Sequence, residues 1–165
     1  MKQIWLAGGC FWGVEAYFQQ LNGVLDTKVG YGQGLTENPT YDEVCSDTTG
    51  YTEVCEINYD EQVLPLPKVL EHFFRIIDPT TLDRQGHDEG SQYRTGIYYE
   101  SSEDKEVIAA FIAKIQAQYH DTIVVEVEPV KRFYPAEDYH QKYLQNRPGG
   151  YCHVNLNLAR LEERK

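Results

Sequence analysis

Apolar residues in this chain recur with two different periods, and the order in which those periods alternate restricts the architecture more than any single motif does. Residues 3 to 8 read as a strand that runs into Gly8-Gly9, after which Phe11, Val14, Phe18 and Leu21 mark one face of a helix. Asn22-Gly23 stops that helix, and residues 24 to 31 read as a second strand. A loop rich in Gly, Thr, Asn and Asp then extends to about residue 50, a length that usually carries function. YTEVCEINY, residues 51 to 59, reads as a third strand; Leu66, Val69, Leu70, Phe73, Phe74 and Ile77 define a second helix with Pro67 in its first turn. The structureless stretch DPTTLDRQGHDEGSQYR leads to a fourth strand at about 95 to 100. Val107, Ile108, Phe111, Ile112 and Ile115 then mark a third helix, and TIVVEVEPV a fifth strand.

The first six elements therefore run strand, helix, strand, strand, helix, strand, the order of a split βαβ unit with its helices on one face of a sheet. The expected fold class is α+β, a two-layer α/β sandwich on a mixed sheet in the ferredoxin-like arrangement. A short helix is expected from Pro135 to about Gln145, broken by Arg147-Pro148-Gly149-Gly150 and followed by an irregular tail from about 146. With 165 residues, 41% of them hydrophobic, a single domain over 1–165 can bury a core without disulfides or metal.

No segment has the apolar run of a membrane span, and MKQIWLAGGCFWG lacks the apolar stretch of a signal peptide, so a soluble, cytoplasmic protein is expected. A formal charge of -11 repels phosphate backbones and anionic lipid, which argues against nucleic acid and membrane as partners. The four cysteines are too few and too scattered for a disulfide scaffold, and no CxxC pair suggests a metal site. In a reducing compartment they are either inert core or reactive.

Cys10 stands where a strand ends, glycines turn the chain and a helix begins. Unpaired N–H groups and the helix dipole at such a point favour thiolate over thiol, and the thiolate is the nucleophile. The alternative is a small buried hydrophobe. Strict alternation puts Glu53 on the same strand face as Tyr51, Cys55, Ile57 and Tyr59, where desolvation would raise its pKa and let it carry a proton at neutral pH. A register shifted by one residue would leave it facing solvent. Of the 13 tyrosines, Tyr41 and Tyr93 sit in the long loops, as uncharged donors for a polar oxygen or as packing. Asp88, taken alone, reads as a turn or cap residue. His72, His87, His120, His140 and His153 show no metal-ligand spacing, and a surface or capping role is expected of each. Cys152 follows Pro148-Gly149-Gly150, glycines that either let the tail move or only end a helix. Cys45 and Cys55 are read as structural.

GCFWG after a short strand resembles the signature of the A-type peptide methionine sulfoxide reductases. GYGQG, NPTYDEVCSDTTGYTE, DRQGHDEGSQYR, AEDYHQKYL and GGYCH resemble that family's other landmarks, in the same order and over nearly the whole chain. The resemblance implies Cys10 as the attacking thiolate and Glu53 as the acid that protonates the sulfoxide oxygen. It implies Phe11 and Trp12 around the substrate methyl, Tyr41, Asp88 and Tyr93 around the oxygen, and Cys152 as the resolving thiol. The activity implied is reduction of peptide-bound and free methionine S-sulfoxide through a Cys10 sulfenic acid and a Cys10–Cys152 disulfide recycled by thioredoxin. No metal or organic cofactor is implied, and the implied fold is again a two-layer α/β sandwich. Two motifs depart from the family's usual form: GYTE, with Tyr51, where GHAE is usual, and QGHD, with His87, where QGND is. Two other readings compete. One is a cysteine hydrolase with His140 or His153 as base, which lacks a positioned oxyanion motif; the other is a Tyr-rich peptide-binding module with incidental cysteines.

Overall fold

Among residues 2–34, 39–46, 50–85, 88–147, 150 and 152–165, which the computed structural model describes, the chain forms thirteen strands and α-helices. They are β1 (Lys2–Gly8), α1 (Phe11–Gln19), β2 (Val24–Gly32), α2 (Tyr41–Cys45), β3 (Thr52–Tyr59), α3 (Leu66–Ile76), β4 (Arg84–Gln85), β5 (Asp88–Glu89), β6 (Thr95–Tyr99), α4 (Ser102–Ile115), β7 (Glu126–Pro129), β8 (Phe133–Pro135) and α5 (Tyr143–Asn146). β1 lies between β3 and β6 and is antiparallel to both, and β2 pairs with the far side of β3. This is the split βαβ arrangement that the order of periods predicts. β7 extends it in parallel beside β6 and β8 antiparallel beside β2, giving a mixed six-stranded sheet in the order β7-β6-β1-β3-β2-β8.

Side chains alternate across the sheet, so Ile4, Leu6, Cys55, Ile57, Tyr59 and Ile97 point to one face, where Phe11, Val14 and Phe18 of α1, Leu70 and Phe73 of α3 and Ile108 of α4 cover them. Phe18 and Phe73 are fully buried, each worth about 1.5–3 kcal/mol of transfer free energy. On the other face, away from α1, α3 and α4, Trp5, Ala7, Val54 and Tyr98 are also buried, against Val130 and Phe133.

Connectivity explains that second buried face. β7 and β8 are opposite edges of the sheet, and in a flat sheet five inter-strand gaps would separate them by roughly 24 Å. The chain from Pro129 to Phe133 can reach only about 14 Å. The sheet must therefore roll until its edges approach, closing on the outer-face side chains. Gln33, at the end of β2 with a left-handed φ of 65°, holds the joint: its backbone N donates to Arg132 O (3.0 Å), its Nε2 donates to Pro129 O (3.0 Å), and its Oε1 accepts from Lys131 N (2.7 Å).

Three local expectations need correction. No continuous helix runs from Pro135 to Gln145; β8 ends at Pro135, a single 3-10 turn covers Asp138–His140, and α5 begins only at Tyr143. The backbone is diverted because the Gln141 side chain caps the edge of β2 like a missing strand, accepting from Val29 N (3.0 Å) and donating to Val29 O (2.7 Å). The long loop before β3 contains α2, held by a capping box in which Thr40 and Glu43 satisfy each other's backbone N–H groups. The fifth strand is shorter than TIVVEVEPV because Ile123 N and Val124 N donate to Gln116 Oε1 and Pro79 O instead of to a neighbouring strand.

Candidate active site

β1 delivers the chain to Gly9, whose φ of 85° lies in the left-handed region and whose missing Cβ would stand 2.7 Å from Gln85 Cβ. That turn makes Cys10 the N-cap of α1. The backbone N–H of Trp12 interacts favourably with its sulfur, as a helix start should, yet the free thiol is not pre-ionised. Burial pushes the Cys10 thiol well up, and the neighbouring Glu53 carboxylate pushes it further. The expectation of a favoured thiolate is thus corrected: with Cys10 only 7% exposed, loss of water outweighs one turn of helix dipole.

Glu53 lies on the helix-facing side of β3 with Cys55, Ile57 and Tyr59 and is 1% exposed. Its Oε1 accepts from Phe11 N, the first amide of α1, at 3.1 Å. Burial raises its pKa to about 8, the Phe11 hydrogen bond opposing and Asp88 adding to the rise. The carboxyl is accordingly protonated at neutral pH, and in that state its charge no longer opposes ionisation of Cys10. Tyr41 and Tyr93 both feel the Glu53 charge, and burial pushes both phenols up, so they remain neutral donors. Asp88 completes this group, interacting with Cys10, Glu53 and Tyr93.

An aromatic wall stands beside it. The Trp12 indole stacks on Tyr143 of α5 (centroids 3.8 Å, planes 11° apart), and its Nε1 donates to His140 Nδ1 at 3.1 Å. The His140 ring also packs against Phe11 (5.3 Å) and Tyr41 (4.6 Å). His140 is 1% exposed, so the expectation of a surface or capping role fails for it, as it does for His72, which accepts or donates with the buried Tyr17 hydroxyl at 2.8 Å. Burial lowers the His140 pKa, leaving a neutral ring; acceptance at Nδ1 then puts its proton on Nε2, a buried atom with no partner among the described residues. Glu137 ties the wall to the sheet, accepting from Tyr31 Oη (2.8 Å) and Tyr41 N (3.1 Å). In the sequence His140 stands only as a candidate base in the hydrolase reading, and Glu137 and Tyr143 only inside the landmark AEDYHQKYL with no role, because each is more than 90 residues from the groups it serves.

Cys152, half-buried, lies over the first turn of α1: a Cβ at Gly13 would be 3.3 Å from its sulfur. Its neighbour His153 is fixed by Nε2 to Gly8 O at 2.9 Å. All four cysteines are free thiols; Cys55 is buried in the core, while Cys45 is exposed at the end of α2 beside the Tyr41 phenol. Tyr51 is buried and packs edge-on to Tyr134 (6.1 Å); His87 lies outside the described residues. Among the described residues no three His, Cys, Asp or Glu side chains gather as a metal-binding group, and no helix is long and apolar enough to cross a membrane.

The sequence profile described as peptide methionine sulfoxide reductase matches residues 2–165. The peptide methionine sulfoxide reductase MsrA of Clostridium acetobutylicum is 56% identical over 160 residues, covering 97% of this chain and 99% of that protein. Among solved structures, Mxr1 from Saccharomyces cerevisiae in reduced form superposes with a TM-score of 0.88 at 40% identity, covering 93% of this chain and 91% of that one. The same yeast protein in complex with Trx2 superposes with a TM-score of 0.61 at 32% identity, covering 86% and 84%. A match over essentially its full length means that the chain belongs to the peptide methionine sulfoxide reductase family.

Proposed function

We propose that this chain reduces methionine S-sulfoxide, peptide-bound or free, with Cys10 as nucleophile, Glu53 as proton donor, Cys152 as resolving thiol and thioredoxin as reductant. The observation that carries the reading is the buried, proton-holding Glu53 hydrogen-bonded to the amide that follows Cys10. Sulfur of a sulfoxide is a poor electrophile until its oxygen is protonated, so the reaction needs an acid that still holds its proton at neutral pH. Phe11 and Trp12 receive the substrate methyl, while Tyr41, Asp88 and Tyr93 surround the oxygen. Glu53 gives its proton to that oxygen, and the Cys10 thiol proton restores Glu53, so no net proton is consumed. Methionine leaves reduced, and Cys10 keeps the oxygen as a sulfenic acid. The Cys152 thiol then displaces that oxygen as water, forming the Cys10–Cys152 bond, and two thioredoxin thiols reduce the disulfide. The yeast relative's complex with Trx2 supports this choice of reductant.

Consumption of the separate S and R sulfoxides with thioredoxin or dithiothreitol tests the assignment; turnover of the R epimer alone would overturn it. Thiol counting tests the pairing. Excess sulfoxide without reductant should release one methionine per chain, convert two of the four thiols to a disulfide, and yield a Cys10–Cys152 peptide on mapping. Cys152→Ser should still release one methionine but lose recycling by thioredoxin. The aromatic wall makes a separate prediction: His140→Phe keeps the ring but leaves Trp12 Nε1 without its acceptor. Loss of that one hydrogen bond should raise KM for a small sulfoxide by about three- to tenfold with a smaller change in kcat.

A further inference from the structure

Residues 152–165 run back along α1, from Cys152 over Gly13 to Lys165, whose N donates to Gln20 O at 2.9 Å. The far end of this strap is fastened outside the chemistry described above. Arg75 of α3 grips Glu163 with both guanidinium nitrogens, at 2.7 and 3.0 Å, and Asn22 N donates to Glu163 O at 2.8 Å. Both side chains are largely shielded, 18% and 13% exposed, and the Arg75 guanidinium holds the Glu163 carboxyl down at about 2. Ala159, between the clamp and Cys152, is fully buried. On the other side of Cys152 the chain is fixed by α5 through the Tyr143–Trp12 stack.

We infer that the Arg75–Glu163 pair is the anchor of a tether that keeps the Cys152 thiol within reach of Cys10, so that both are positioning residues for disulfide closure. The inference rests on the reading of Cys152 as the resolving thiol. With the far end fastened, the segment from Cys152 is held along α1; with it released, the segment keeps only lighter contacts such as His153 Nε2 with Gly8 O and Gln20 Nε2 with Leu156 O, so it samples a larger volume and the effective concentration of Cys152 at Cys10 falls. An exposed ion pair has little such leverage, but a two-point grip shielded from solvent also places the backbone bonds at Asn22 and Lys165.

The test measures two rates on the full chain by acid quench after mixing reduced enzyme with excess sulfoxide: methionine release, and appearance of the Cys10–Cys152 disulfide by peptide mapping. In Glu163→Ala, methionine release should be unchanged and disulfide appearance slower by about tenfold. The charge swap Arg75→Glu with Glu163→Arg should restore most of the closure rate. Unchanged closure in Glu163→Ala overturns the anchor, as does an equal fall in both rates, which would mean that the pair only stabilises the domain. If Glu163→Ala does not fold, Arg75→Lys, which keeps the charge but loses the two-point grip, is read the same way with an expected slowing of about threefold. A wild-type protein that forms no Cys10–Cys152 disulfide overturns the reading of Cys152 itself and the anchor with it, an outcome distinct from normal wild-type closure that the variants leave untouched.

Discussion

Cys10→Ser should abolish methionine sulfoxide reduction, lowering the rate of methionine release by roughly ten-thousandfold or more even when enzyme is present in stoichiometric excess. A hydroxyl at this position is the same shape within a few tenths of an ångström, and the Gly9 turn and the first amides of α1 do not depend on sulfur, so the fold should survive. On the proposed mechanism, what disappears is the atom that forms a bond to the substrate sulfur and then carries its oxygen away. Methionine release near the wild-type rate would mean that another thiol attacks, and Cys152, over the same helix turn, would be the next to replace.

Glu53→Gln should slow methionine release by about a hundredfold or more, the scale of losing a positioned general acid. Its effect on Cys10 runs the other way. The glutamine carries no charge to oppose a thiolate, so above about pH 8, where Glu53 is ionised in the wild type, Cys10 in the variant should be alkylated faster while reducing sulfoxide more slowly. Equal slowing of alkylation and reduction would point to a collapsed site rather than a lost proton. Stability supplies a third readout. The folded-state pKa is raised, so between about 4.5 and 8 the folded chain holds a proton that the unfolded chain has released, and wild-type stability falls as pH rises through that window. The variant should therefore gain on the wild type from pH 4.5 to 8 and keep a constant advantage above it, on the order of a few kcal/mol. Denaturant midpoints at pH 5 and pH 9 that differ equally for the two proteins would contradict this.

Cys10 and Glu53 were legible because local rules place them: a strand running through glycines into a helix exposes the cap position, and period-two alternation fixes the face of a strand residue. The ionisation of Cys10 was not legible in the same way. It depends on how closely Gln85, Glu53 and residues 152–154 close over the cap, and these come together only in three dimensions. His140 was invisible as a partner of Trp12 because 128 residues separate them and no periodicity links them. The expected helix after Pro135 failed because the Gln141 amide can pair with a strand edge, an option that propensity does not weigh. α2 was within reach, since Thr40 and Glu43 carry the spacing of a capping box.

The rolled sheet bears on the company this protein keeps. Oxidised polypeptides are often partly unfolded, and loose segments with unsatisfied amides add themselves to any long open strand they meet. Here β8 covers only Gly30–Gly32 of β2, the Gln141 amide takes Val29 N and O and the Lys142 ammonium takes Thr27 O, while the opposite border is the four-residue β7, with Gln33 bridging the gap between β8 and β7. One border is short, and side chains already occupy backbone groups of the other. On the proposed mechanism a damaged chain can therefore present its side chain to Cys10 and depart, without its backbone being stitched onto the enzyme.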